Sequence, residues 1–184
     1  MKRRRSSGVN FRGTNLENFD LSFTNLQNAL FWKADLKGTV LYGANLEKAD
    51  LSFANLEKAD LTSANLTEAI LEGAKLGGAK LVETQLRQAK LINADLAMSD
   101  LTKADLTDAF LFSANLEDAV LNEAILIKAD MSKAKLDGAI LSNANLDLAQ
   151  VSPNHLCKAK SLKNVKLDQK LESKTRRLCR RLFE

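Results

Sequence analysis

The chain has 184 residues, 45% hydrophobic but only 5% aromatic, with one proline, one histidine, two cysteines and a formal charge of +4. That size can bury one core, but a lone histidine, His155, and two cysteines twenty-two residues apart form neither a metal-ligand cluster nor a Cys-x-x-Cys pair. Polar residues interrupt every apolar run, which excludes a transmembrane helix.

Residues 1–8, MKRRRSSG, form a basic leader expected to be disordered. No apolar core of about 7 to 15 residues follows it, so it is not a signal peptide and a cytoplasmic location is expected. Cys157 and Cys179 are accordingly expected as reduced thiols.

From Val9 to Lys158 thirty consecutive five-residue units follow without insertion or deletion, each with a large apolar residue at its centre. The stretch ADLSFANLEKADLTSANL shows the pattern: Leu51, Leu56, Leu61 and Leu66 alternate with Ala49, Ala54, Ala59 and Ala64. Five steps rotate an α-helix by about 140°, so no single helix face collects the leucines. In a straight strand five steps reverse the face, sending alternate leucines into water. Within a unit, however, the small residue and the central one lie two apart and share a face. A corner after each unit returns the next pair inward, and four corners close a coil of about twenty residues whose backbones pair at about 4.8 Å. The central residues that are not leucine, Phe11, Phe31, Met131 and Val151, differ by multiples of twenty and so stack on one side, here called side 1. Thirty units make about seven and a half coils and a rod of roughly 36 Å. Phe19, Val9 and Phe11 are expected to plug its first end.

These units resemble the pentapeptide-repeat family over about 150 residues, down to the Asn or Asp before the centre at Asn15, Asp35, Asn45, Asp50, Asn55, Asp60 and Asn65. The resemblance implies an all-β solenoid, a right-handed quadrilateral β-helix with the central and small residues inward. Plain members of this kind are abundant in cyanobacteria. Gyrase-protecting relatives imitate B-DNA in width and negative surface and dimerise through their C-terminal ends.

The repeat body is expected over 9–151, and 152–184 a short helix, a partial last coil and a basic C-terminal helix. The register breaks in SPNHLCKAKSL, where Ser152 before Pro153 reads as a helix N-cap with a first-turn proline. A partial coil through Val165 and Leu167 follows. Beyond it Leu171, Leu178 and Leu182, spaced by seven and four, predict an amphipathic helix capped by Asp168, which covers the core end or holds a second copy.

The charge divides into zones. The leader carries four basic residues, residues 158–184 ten basic against three acidic, and the body between them thirteen basic against twenty acidic. Such asymmetry bears on partners rather than fold. Side 1 is near neutral and places Leu30, Trp32, Phe53, Ile70, Ile92, Phe110 and Phe112 at outward positions, a candidate partner-binding stripe. Asp20, Asp60 and Asp100 recur on one side and Glu17, Glu57 and Glu117 on another, candidate phosphate mimics toward a DNA-binding enzyme such as gyrase. A net charge of −7 over that length is sparse beside duplex DNA, with one charge per about 1.7 Å. Lys174, Arg176, Arg177, Arg180 and Arg181 lack interleaved aromatics, so direct nucleic-acid or membrane binding is not expected. Gly77 and Gly78 lie inside a repeat and make no phosphate loop. The expected role is a non-catalytic protein-interaction scaffold without cofactor or metal. Its partner is a protein, with a homodimer through the C-terminal end or side 1 as one form. The alternative is a DNA-mimicking regulator of a type II topoisomerase.

Overall fold

The computed structural model describes residues 8–184. The leader expected over 1–8 therefore lies, but for Gly8, outside the described residues. Side 1 shows the architecture in one column: Asn10 pairs in parallel with Leu30, Leu30 with Asp50, and so on every twenty residues to Asp130 with Gln150. The columns beginning at Asn15, Asp20 and Asn25 repeat this on the other sides, producing a right-handed quadrilateral β-solenoid. Each bridging residue holds two coils together. Leu30, for example, donates its N–H to Val9 O at 2.8 Å and accepts from Phe11 N–H at 2.7 Å.

Every corner has the same geometry. Thr14 N–H donates to Phe11 O at 3.1 Å, closing a four-residue turn, and Gly13, the third residue of that turn, has φ of 62°. A positive φ there is the signature of a type II turn. Most corners nevertheless carry a non-glycine residue in this conformation, including Lys48, Phe53 and Lys58 at 57° to 58°. The Asn or Asp before each centre supplies a side-chain bond across the corner. Asn15 Oδ1 accepts from Glu17 N–H at 2.9 Å, and Asp20 Oδ1 from Ser22 N–H at 2.9 Å. This Asx geometry explains the family-like preference at that position. Amides also bridge coils: Asn45 Nδ2 donates to Asn25 Oδ1, and Asn65 Nδ2 to Asn45 Oδ1.

The interior is filled by the central residues and the small ones two places earlier. Phe31, Leu36, Leu81, Met131 and Leu141 are fully buried, with Ala29, Ala54 and Ala89 between them. Where threonine replaces alanine its hydroxyl finds a carbonyl: Thr39 and Thr84 reach Leu16 O and Leu61 O one coil back, both at 2.8 Å, and Thr14 and Thr24 reach Phe11 O and Leu21 O of their own corners. Phe11 stacks on Phe31 with ring centroids 5.0 Å apart. Phe19 does not plug the first end as expected. Its ring stays 54% exposed, while Thr39, at the equivalent place one coil on, is buried.

The short helix α1, Pro153–Leu156, starts at Ser152, whose Oγ accepts from His155 N–H. It adds one residue to its coil. Ile140 therefore pairs with Ser161 and Asn145 with Lys166, twenty-one residues on, so the five-residue register does not run to Lys158. The two-residue strands β1, Asn145–Leu146, and β2, Lys166–Leu167, close this last stretch in parallel. Asp168 then caps α2, Gln169–Cys179, accepting from the N–H groups of Lys170 and Leu171, and a 3₁₀ turn, Arg180–Phe183, completes the end. Leu171 and Thr175 of α2 face the core, and Leu182 O accepts from Leu162 N–H at 2.6 Å.

Two expectations about this end are corrected. Cys157 and Cys179 are not free thiols but a disulfide, with Cα atoms 5.6 Å apart. Their spacing in sequence held no sign of it, because the pairing arises only when α2 folds back across α1. The bridge also fixes the rotation of α2, centring its buried face on Thr175 and Cys179. Leu178, expected in line with Leu171 and Leu182, is consequently turned outward and 59% exposed.

Candidate functional site

Stacking at twenty-residue intervals turns sequence columns into surface lines. The candidate stripe resolves into two lines and one separate ring. Leu30, Ile70 and Phe110 lie in the bridging column of side 1, separated by Asp50 and Lys90. Trp32, Ile92 and Phe112 lie along the following corner. Phe53 sits apart, one position further, with its ring folded over Gly73 of the next coil.

Exposure differs along these lines. Phe110 is 45% and Trp32 40% exposed, whereas Leu30, Ile70, Ile92 and Phe112 are half-buried against neighbouring coils. Trp32 lies under Lys33 of its own corner, with Nζ 4.4 Å from the ring centroid, and Phe112 under Lys133 of the next coil, at 5.0 Å. Cation–π contact thus partly satisfies both rings.

Between the bridging column and the preceding corner runs an open groove of about 620 Å³. Ile70, Lys90 and Phe110 line one side; Lys48, Glu68, Gln88 and Asp108 line the other. Lys48 Nζ lies 3.5 Å from both Glu47 and Glu68, and the Glu68 carboxylate beside it, with Glu47, raises the Lys48 ammonium above its ordinary pKa. The four rim residues escaped sequence reasoning, although their spacing of twenty places them on one line as plainly as the apolar residues.

The acidic candidates are more dispersed. Asp20, Asp60 and Asp100 share one bridging column, but Val40 and Lys80 intervene, and Lys80 Nζ lies 4.0 Å from Asp60. Each of the three also accepts from its own chain, at Ser22, Thr62 and Thr102 N–H. The coil register likewise sets Lys37 between Glu17 and Glu57, and Glu117 two coils beyond Gly77.

At the C-terminal end Leu171 is buried and Leu182 packs against the core, while Leu178 borders a shallow hollow with Pro153, Asn154, Lys174 and Arg177. Arg176 lies over the Phe183 ring at 4.2 Å and bonds Glu172 at 2.7 Å. No described helix is long and apolar enough to cross a membrane.

A family model described as pentapeptide repeats (8 copies) matches residues 7–43, 39–78, 69–108 and 114–149. Among solved structures the chain is similar to HetL, a pentapeptide repeat protein involved in heterocyst differentiation regulation from the cyanobacterium Nostoc sp. strain PCC 7120. The two are 28% identical with a TM-score of 0.74, over 90% of this chain and 86% of that one. The fold is also similar to a trypsin-treated variant of QnrB1, a plasmid-mediated fluoroquinolone resistance protein, at 15% identity and a TM-score of 0.61, over 93% and 95% of the two chains. No curated protein sequence matches.

Proposed function

Because the chain belongs to the pentapeptide-repeat family, we propose that it is a non-catalytic protein-interaction scaffold whose partner docks along side 1, in the groove of Ile70, Lys90 and Phe110. The observation that carries this reading is Phe110, half exposed on a rigid wall, with Ile70 two coils along and charges of both signs across from it. A rigid aromatic anchor ringed by polar groups is the composition of a protein-binding hot spot. The interior packed with leucine and alanine supports a molecule that works through its outer surface. HetL is involved in the regulation of heterocyst differentiation, a role that suits a protein acting by being bound.

The test compares partners captured from a cyanobacterial lysate by wild-type protein and by Phe110→Glu and Trp32→Glu/Phe112→Glu variants that melt like it. At least one stoichiometric partner is expected to be lost from a variant. The same partners on all three proteins would overturn the docking face.

The surplus of acids in the body supports a second reading, a DNA-mimicking regulator of a type II topoisomerase. The interruptions at Lys37 and Lys80 leave it weaker than the first. It predicts that the protein, titrated from nanomolar to micromolar, inhibits supercoiling by bacterial gyrase and that added DNA relieves the inhibition. A cytoplasmic setting goes with either reading, against which stands the disulfide, since such bonds persist mainly in oxidising compartments. Alkylation of Cys157 and Cys179 in fresh extracts decides between them.

A further inference from the structure

The two ends of the rod are finished differently. At the C-terminal end α2 lies across the core and Leu182 O takes the Leu162 N–H. At the other end the first coil meets nothing among the described residues. Among the described residues the backbone N–H and C=O of Asn10 and Asn15 have no backbone partner, nor do the carbonyls of Arg12 and Glu17. Their equivalents one coil on are paired: Asp35 N–H donates to Thr14 O, and Asp35 O accepts from Leu16 N–H. Phe19 is half exposed at the same end, and Phe11 and Leu21 are only partly buried.

An open β edge templates another chain unless it is guarded by lysine, proline or a covering element. The four bridging residues of this coil are Asn, Asn, Asp and Asn, whereas lysine holds that position later, at Lys75, Lys80, Lys90 and Lys135.

We infer that this end is closed by the same end of a second copy, two solenoids meeting head to head about a two-fold axis. The backbone geometry specifies that occupant. Among the described residues Asn10 and Asn15 each present an unpaired N–H and an unpaired C=O on the same side. That is the set which one residue of a hydrogen-bonded antiparallel pair exchanges with its opposite number. Two right-handed coils facing each other across a two-fold axis run in opposite directions, so their sides meet antiparallel. A head-to-tail stack would present parallel rungs and is blocked by α2, and an isologous contact closes at two copies. Charge within the coil is sparse, Arg12, Glu17 and Asp20 being the only charged residues between Val9 and Asn28, while Lys2, Arg3, Arg4 and Arg5 precede it in each copy.

The test measures mass in solution by light scattering from low to high micromolar concentration. The wild-type chain is expected to rise from its 20.2 kDa monomer toward twice that mass. Asn15→Pro removes an N–H that no described residue pairs, together with the Asn15 Oδ1 bond to Glu17 N–H, and Phe19→Glu charges an exposed ring; each is expected to keep the coils folded and to stay monomeric. In the dimer the amide of Asn10 exchanges hydrogen at least tenfold more slowly than in the Asn15→Pro variant. Deletion of residues 1–7 should leave the dimer intact. A wild-type chain that stays monomeric throughout overturns the inference. So does a dimer that survives Asn15→Pro and Phe19→Glu, dissolves with Leu178→Asp, or depends on residues 1–7.

Discussion

At Gly38, Gly43, Gly73 and Gly138 the corner glycine answers to the residue one coil before it. A Cβ at Gly73 would lie 2.7 Å from Phe53 Cε1, and one at Gly43 2.8 Å from Phe23 Cε1. Gly38 and Gly138 sit in the same way against the carbonyl and carboxylate oxygens of Asn18 and Asp118. Positive φ alone does not demand glycine here, because lysine, glutamate and serine adopt it at other corners. Gly73→Ala is therefore expected to cost about 2 kcal/mol or more, and only about 1 kcal/mol once Phe53→Ala has removed the ring, a difference that a denaturant double-mutant cycle reads. Asp20 offers a second check. The Ser22 hydroxyl and the Ser22 N–H hold its carboxyl below the ordinary 3.8. A depressed folded value means that its stabilisation is complete above the unfolded pKa and disappears as pH falls through the lower folded one. Carboxyl NMR should find Asp20 titrating below 3.8, and Ser22→Ala should move it back. The leucines and alanines were legible in the sequence because burial alone dictates them. The glycine partners were not, since each pair joins residues twenty apart that meet only after a coil has closed.

Among the elements, α2 shows the limit of reading a stripe from spacing. Its existence and its Asp168 cap follow from local chemistry, and both are visible in the sequence. Its rotation depends on a tether. The disulfide turns Thr175 to complete burial, with its hydroxyl on Leu171 O at 2.8 Å, and leaves Leu178 in solvent. Leu178→Asp should consequently leave stability within about 0.5 kcal/mol of wild type, whereas Leu171→Asp should release the helix. A bridge closing a loop of this length contributes about 3 kcal/mol. Reduction, or Cys179→Ser, is thus expected to weaken α2 docking by that order while the coils remain folded. Faster hydrogen exchange at Leu162 N–H, with no change at Leu81 N–H, would show it.

Each coil touches only the coils before and after it, so the rod's stability is close to a sum of repeats and nearest-neighbour contacts. Truncating a fully buried central residue such as Leu81 to alanine should cost about 2 to 5 kcal/mol, measurable by urea unfolding. The architecture was readable from an unbroken period because neither regular helix nor straight strand can accommodate it. The ends were less readable because repetition specifies neighbours and says nothing about where neighbours cease.

The fixed register also constrains how such a molecule can change its length. Ile70 lies below Phe110 because two full circuits of twenty residues separate them. One additional unit between them would advance everything beyond it by a quarter turn, carrying Phe110 around a corner and severing the groove. Four additional units would restore the phase and only push the two residues about 4.8 Å further apart. The surface thus behaves like the scale on a micrometer barrel: whole revolutions alter distance alone, and any fraction alters direction as well.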